Sequence, residues 1–297
     1  MITQELGRTG LRISQLGFGV MQAGDPGIDE AAAGRLLHEA LDMGITLLDT
    51  ARSYQLSEER IGRHLRQRRG EFVLSTKLGY GVDGVADWTA ECIVQGVERA
   101  LRVMHTDVID IVHLHSCPLE TLQRGEVVEA LARCREQGKL RVAAYSGENE
   151  ALDFAIACGQ FQSVQTSLNL VDQGNLDFDR LRRAQEAGMG VLVKRPLASL
   201  AWRHAQRPDD FALGLYWDRW QAMGLERALP GSGAWTDLSL RFAAFQSGVS
   251  ACLVGSTRAQ ALRDNAGALA LGPLPEATLR TLRRAWQENC PGAEGVI

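Results

Sequence analysis

Four polar residues stand where short apolar runs end. Asp49 closes the run Thr46–Asp49, Lys77 closes Phe72–Lys77, and His115 lies just past Val108–His113. Tyr54 follows Asp49 in the loop or first helical turn beyond it. If the runs are β-strands, side chains alternate between faces. Lys77 then shares a face with Val73 and Ser75, and His115 shares one with His113, Ile111 and Ile109. Such a set can deliver a proton to a carbonyl oxygen while hydride reaches the carbon. A free tyrosine, with a pKa of about 10, is a weak acid at neutral pH. A neighbouring ammonium stabilises the phenolate and makes the proton easier to give. A buried lysine needs a counter-charge, which Asp49 can supply. A histidine beside the oxygen can orient it and donate a hydrogen bond. Taken singly, each residue has an ordinary reading: a helix cap, a surface tyrosine, a solvated lysine, a core histidine. Falling together on adjacent strand ends, they read as one site.

The pair His113-x-His115 has a rival reading. Two histidines on one barrel strand can ligate zinc, as in metal-dependent hydrolases. Such a site needs further ligands on other strands, and the later runs end near Ala144, Thr166, Lys194 and Val254, none of them a ligand. No metal is expected, and His113 reads as a hydrogen-bonded residue deeper in the fold.

The elements that position these residues alternate. Apolar, β-branched runs occur at 16–19, 46–49, 72–77, 108–113, 140–144, 163–166, 190–194 and 251–254. Between them lie stretches with helical spacing, at 31–43, 89–104, 127–137, 151–157, 176–187 and 236–245. Gly44, Gly138, Gly159, Gly188 and Gly248 fall just before runs, as helix C-caps do. Eight strands alternating with helices predict a parallel (β/α)8 TIM barrel, an α/β fold, with its site at the strands' C-terminal ends. An open doubly wound sheet is the weaker alternative, because the first turn, Gly17-Phe18-Gly19-Val20-Met21-Gln22, lacks the third glycine of a dinucleotide fingerprint. Three decorations are expected: an N-terminal hairpin over 3–14 closing the barrel bottom, a long aromatic-rich excursion over 198–235, and a C-terminal helix over 275–288. One domain spanning 1–297 accommodates them all.

Composition bounds the rest. The chain has 297 residues, 45% of them hydrophobic, enough for one large core. A net charge of -4 offers nothing to a phosphate backbone, so nucleic acid is not expected as a partner. Six scattered cysteines without a CxxC pair suggest reduced thiols and a cytoplasmic protein. No signal peptide or membrane span is read, and oligomeric state is left open.

Over nearly its whole length the chain resembles the aldo-keto reductase family. The resemblance lies in the opening LGRTGLRISQLGFGV, in Leu48-Asp49-Thr50-Ala51-Arg52-Ser53-Tyr54, in Ser75-Thr76-Lys77 and in Ile109-Asp110-Ile111-Val112-His113-Leu114-His115. It implies a nicotinamide-dependent oxidoreductase acting on a small carbonyl or alcohol, with Tyr54 as proton donor, Lys77 and Asp49 tuning it, and His115 orienting the substrate. It implies Ser146 and Gln165 at the carboxamide, and Lys194-Arg195-Pro196-Leu197 along the pyrophosphate. Many relatives carry an aromatic where Lys194 stands. Gly255, Ser256, Thr257, Arg258, Gln260, Asp264 and Asn265 resemble the adenosine-phosphate segment. Amides at a helix N-terminus suit an anion there, and the Arg258 fork suits a 2′-phosphate. NADPH is therefore expected, with NAD the alternative because Gly255 replaces a lysine common in relatives. Met21 and Trp88 are candidate pocket walls. The family also includes non-catalytic nicotinamide-binding regulatory barrels, a reading that the complete set of four site residues disfavours.

Overall fold

The computed structural model describes residues 1–231 and 234–297. Among the described residues there are ten strands: β1 (Thr3–Glu5), β2 (Arg12–Ser14), β3 (Leu16–Gly19), β4 (Leu47–Asp49), β5 (Val73–Leu78), β6 (Ile109–His115), β7 (Leu140–Ser146), β8 (Ser163–Ser167), β9 (Gly190–Lys194) and β10 (Val249–Gly255). Strands β3 to β10 pair in parallel and close into an eight-stranded barrel, with β10 hydrogen-bonded to β3. The expected (β/α)8 barrel is therefore the fold. The strands β6, β7 and β10 run further than the apolar pattern alone suggests. His115 and Ser146 pair with each other at the strand ends, which extends the sheet through polar residues.

Alternation along the strands builds two cores. Leu48, Leu74, Val112, Tyr145, Val164 and Val193 face outward into a layer shared with the helices. Leu47, Ile111, Val142, Ala144, Leu192, Ala251 and Leu253 face inward and fill the barrel with Leu6, Leu11 and Ile13 from the antiparallel β1–β2 hairpin. The hairpin thus closes one end, as its position before the first barrel strand suggests.

Helices largely follow the pattern. Asp29 caps Glu30–Asp42 by accepting from the Ala32 amide at 2.8 Å. Thr89 does the same for Ala90–Val103. The stretch 176–187 is broken rather than continuous, because Asp179 takes a left-handed conformation and separates Gly174–Asp177 from Arg180–Glu186. The excursion contains a helix, Phe211–Met223, capped by Asp210. Trp220 packs against both Trp202 and Trp235, with ring centroids 5.6 and 4.8 Å away, and Tyr216 is buried. The final helix spans Glu276–Asn289 and buries Trp286. No helix among the described residues is long and apolar enough to cross a membrane.

Candidate active site

Barrel register brings the strand ends together. Asp49 lies beside Ser75, Lys77 beside His113, His115 beside Ser146, and Ser146 beside Gln165. Lys77 is fully buried, and its Nζ donates to Asp49 Oδ2 at 2.6 Å and to the Thr50 carbonyl at 2.9 Å. Burial opposes its charge. The Asp49 carboxylate and Tyr54 more than offset this and raise its pKa above the ordinary value, so Lys77 stays an ammonium. Asp49 is held in turn, its Oδ1 accepting from Ser75 Oγ at 2.8 Å and from Gln165 Nε2 at 3.0 Å.

Tyr54 sits in a tight turn after β4. Its amide donates to Ala51 O, and its own carbonyl accepts from the Ser57 amide, leading into helix Ser57–Leu65. The turn packs on Gly24, where a Cβ would overlap Tyr54 O and the Ser57 backbone. Glu58, buried in that helix, accepts from Thr76 Oγ1 at 2.7 Å and pairs with Arg99, tying the turn to β5. The result puts Lys77 Nζ 4.8 Å from the Tyr54 ring centroid. The His115 ring meets Tyr54 edge-on at 6.0 Å. Burial, followed by the charges of Lys77 and Lys194, lowers the His115 pKa to about 2, so its imidazole is neutral. His113 lies deeper, with Nε2 3.1 Å from Ser75 Oγ. Among the described residues no three His, Cys, Asp or Glu side chains form a group able to hold a metal.

The remaining residues singled out by sequence divide by place. Ser146 Oγ donates to Gln165 Oε1 at 3.0 Å, which joins both to Asp49. Lys194, partly exposed, forms an ion pair with the buried Glu148 at 3.2 Å. Leu197, Gly255, Ser256, Arg258, Asp264 and Asn265 line a cleft of about 680 Å³ beyond the ends of β9 and β10. Thr257 lies exposed in the turn before helix Ala259–Ala270, and Gln260 donates to Asp264 Oδ1 at 2.8 Å. Arg195 turns elsewhere: its Nη1 donates to the Val296 carbonyl at 2.6 Å. Pro196 is buried, and its carbonyl accepts from Ser239 Oγ at 2.6 Å. Met21 is exposed just after β3. Trp88 reaches the site through Tyr80, whose ring it meets at 5.8 Å.

Three residues near the site went unread in the sequence. Tyr80 stacks on His115, and Arg203 lines the cleft from the start of the excursion. Glu148 accepts from Thr166, Ser167 and Lys194. Its spacing of two from Ser146 was a usable signal, since alternate residues share a face. Tyr80 follows the end of β5 and carries no periodic signal.

The model of the aldo/keto reductase family matches residues 15–223, and the chain belongs to that family. It is 24% identical to the "Uncharacterized oxidoreductase YqkF" of Bacillus subtilis, over 95% of this chain and 96% of that protein. It is 28% identical to a "Probable voltage-gated potassium channel subunit beta" of Oryza sativa, over 91% and 92%. The structure of the aldo-keto reductase AKR11C1 from Bacillus halodurans, holo form, superposes with a TM-score of 0.83 at 25% identity, covering 96% of each chain.

Proposed function

We propose that this protein is an NADP(H)-dependent reductase of small aldehydes or ketones, equally able to oxidise the matching alcohols, with Tyr54 as general acid. The observation that carries this reading is the buried Asp49–Lys77 pair with its ammonium beside the Tyr54 ring. The dinucleotide, when bound, supplies the hydride. Tyr54 gives its proton to the carbonyl oxygen, and the Lys77 charge stabilises the phenolate left behind. Asp49 keeps that charge in place, and neutral His115 orients the oxygen.

The chain's residues fit such a cofactor. Ser146 and Gln165 present hydrogen-bonding groups beside Asp49, where a carboxamide would be held. The Lys194–Glu148 pair stands where relatives offer an aromatic face. Leu197 leads from there into the cleft, whose lining guanidinium groups, Arg203 and Arg258, suit an anionic adenosine end. Arg263, also in the cleft, is already engaged by Glu39. The six free thiols suit a reducing compartment, and we place the protein in the cytoplasm.

A panel of aldehydes and ketones followed by NADPH absorbance, with NADH in parallel, tests the reading. Turnover with at least one carbonyl is expected. Tight NADPH binding without turnover on any substrate would instead favour the regulatory barrel to which the rice relative's name points. Arg258→Ala should weaken NADPH binding by about tenfold to a hundredfold while leaving NADH nearly unaffected, the worth of one charge-assisted contact. Titration by cofactor fluorescence measures it, and equal weakening toward both would remove Arg258 from the 2′-phosphate.

A further inference from the structure

His115 has two ring nitrogens in different surroundings. Its Nδ1 lies 2.8 Å from the Tyr80 hydroxyl. The two rings stack with centroids 5.7 Å apart and planes 24° from parallel. Among the described residues Nε2 makes no hydrogen bond, which leaves it for the carbonyl oxygen. A neutral imidazole carries one N–H, and its tautomer decides whether Nε2 is a donor or an acceptor. An acceptor aimed at a carbonyl oxygen would repel it. We infer that Tyr80 donates its hydroxyl proton to His115 Nδ1, so that the ring proton sits on Nε2 as a donor to the substrate. This rests on the roles proposed for Tyr54 and His115.

The competing arrangement has Tyr80 donating to Ser53 Oγ and accepting from Nδ1–H. That oxygen is 3.3 Å away, against 2.8 Å to Nδ1, and exposed Ser53 can itself donate to Tyr80. An imidazole nitrogen is a stronger base than a hydroxyl oxygen, so the single hydroxyl proton goes to Nδ1. The loop is built to hold the ring there. Trp88 adopts a left-handed φ of +60°, unusual for a bulky side chain, and packs edge-on to Tyr80. Its indole lies over Gly79, at a φ of +137°, where any Cβ would overlap it. Backbone strain of this kind persists only where the surroundings over-determine it. Tyr80 is therefore a positioning residue that acts through His115.

The test is long-range proton–nitrogen NMR on histidine-labelled protein, with His115→Gln assigning the signal, for the parent and Tyr80→Phe. The phenylalanine keeps the stack and removes only the hydroxyl. The parent should show His115 as the neutral Nε2–H form. Tyr80→Phe should show a mixed population, with kcat about three- to tenfold lower, the worth of one hydrogen bond, and unchanged cofactor binding. An Nδ1–H form in the parent, or an unaltered tautomer and kcat in the variant, overturns the inference. Tyr54→Phe is run in parallel. If that variant keeps its turnover, the catalytic reading fails, and the tautomer measurement still decides what Tyr80 does.

Discussion

Lys77 keeps its charge in a place with almost no water, and Asp49 is the reason. Removing one partner of a buried pair strands the other, typically at a cost of about 3–5 kcal/mol. Lys77→Met should therefore destabilise the fold by that order as well as slow turnover. Adding Asp49→Asn should restore much of the stability and none of the activity. Urea unfolding of the parent, both single variants and the double variant measures this, and a double variant no more stable than Lys77→Met would contradict it. Asp49, Lys77 and His115 were legible in the sequence because each lies at or next to a strand's end, where alternation fixes the side each faces. Tyr54 was legible from its place just after Asp49, but strand alternation does not fix the direction of a loop side chain. Tyr80 was not, because its direction depends on left-handed backbone at Gly79 and Trp88, which strand periodicity does not reach.

At the scale of elements, the candidate site and the hairpin plug occupy opposite mouths of the barrel. The β1–β2 hairpin sends Leu6 into the inner core against Leu11, Ile13, Leu47 and Leu192, with its side chain over Gly190. Leu6→Ala should cost about 2–5 kcal/mol, the range for a buried leucine whose site collapses only in part. It should leave kcat unchanged, because the turn bearing Tyr54 and the strand end bearing His115 lie at the other mouth. Thermal unfolding and turnover on the same preparation check both, and a loss of kcat with intact stability would contradict the separation. The hairpin and the alternation of strands and helices were readable from turn glycines and apolar periods. The break at Asp179 was not, since a helical pattern continues through it. In the excursion, Trp202 and Trp235 pack on Trp220, while Leu200 and Arg203 line the cleft.

Across the whole molecule, distant segments converge on one buried carboxyl. Asp172, beyond β8, accepts from Tyr216 of the excursion at 3.0 Å and from the Val296 amide at 3.3 Å, with Arg219 3.7 Å away. Burial, with Glu148 nearby, raises its pKa to about 7, against about 4 in an unfolded chain. The fold therefore prefers the protonated form. That preference stabilises fully below about pH 4 and is lost as the pH rises toward 7. Asp172→Asn has no such dependence, so relative to the parent it should gain stability between about pH 5 and pH 7.5. Urea midpoints at the two pH values decide this, and a constant offset would contradict it. Sequence could not show that convergence, because residues 172, 216, 219 and 296 meet only once the barrel has closed. The same closure sets the Tyr54 site and the arginine-lined cleft on one rim, and the central claim is that Tyr54 supplies the proton there. Single-turnover mixing of NADPH-loaded protein with a substrate aldehyde, parent against Tyr54→Phe, tests this most directly. Loss of the hydroxyl should slow NADPH consumption by about 10²–10⁴-fold while NADPH binding is unchanged. A variant that consumes NADPH at more than half of the parent's rate would contradict the account.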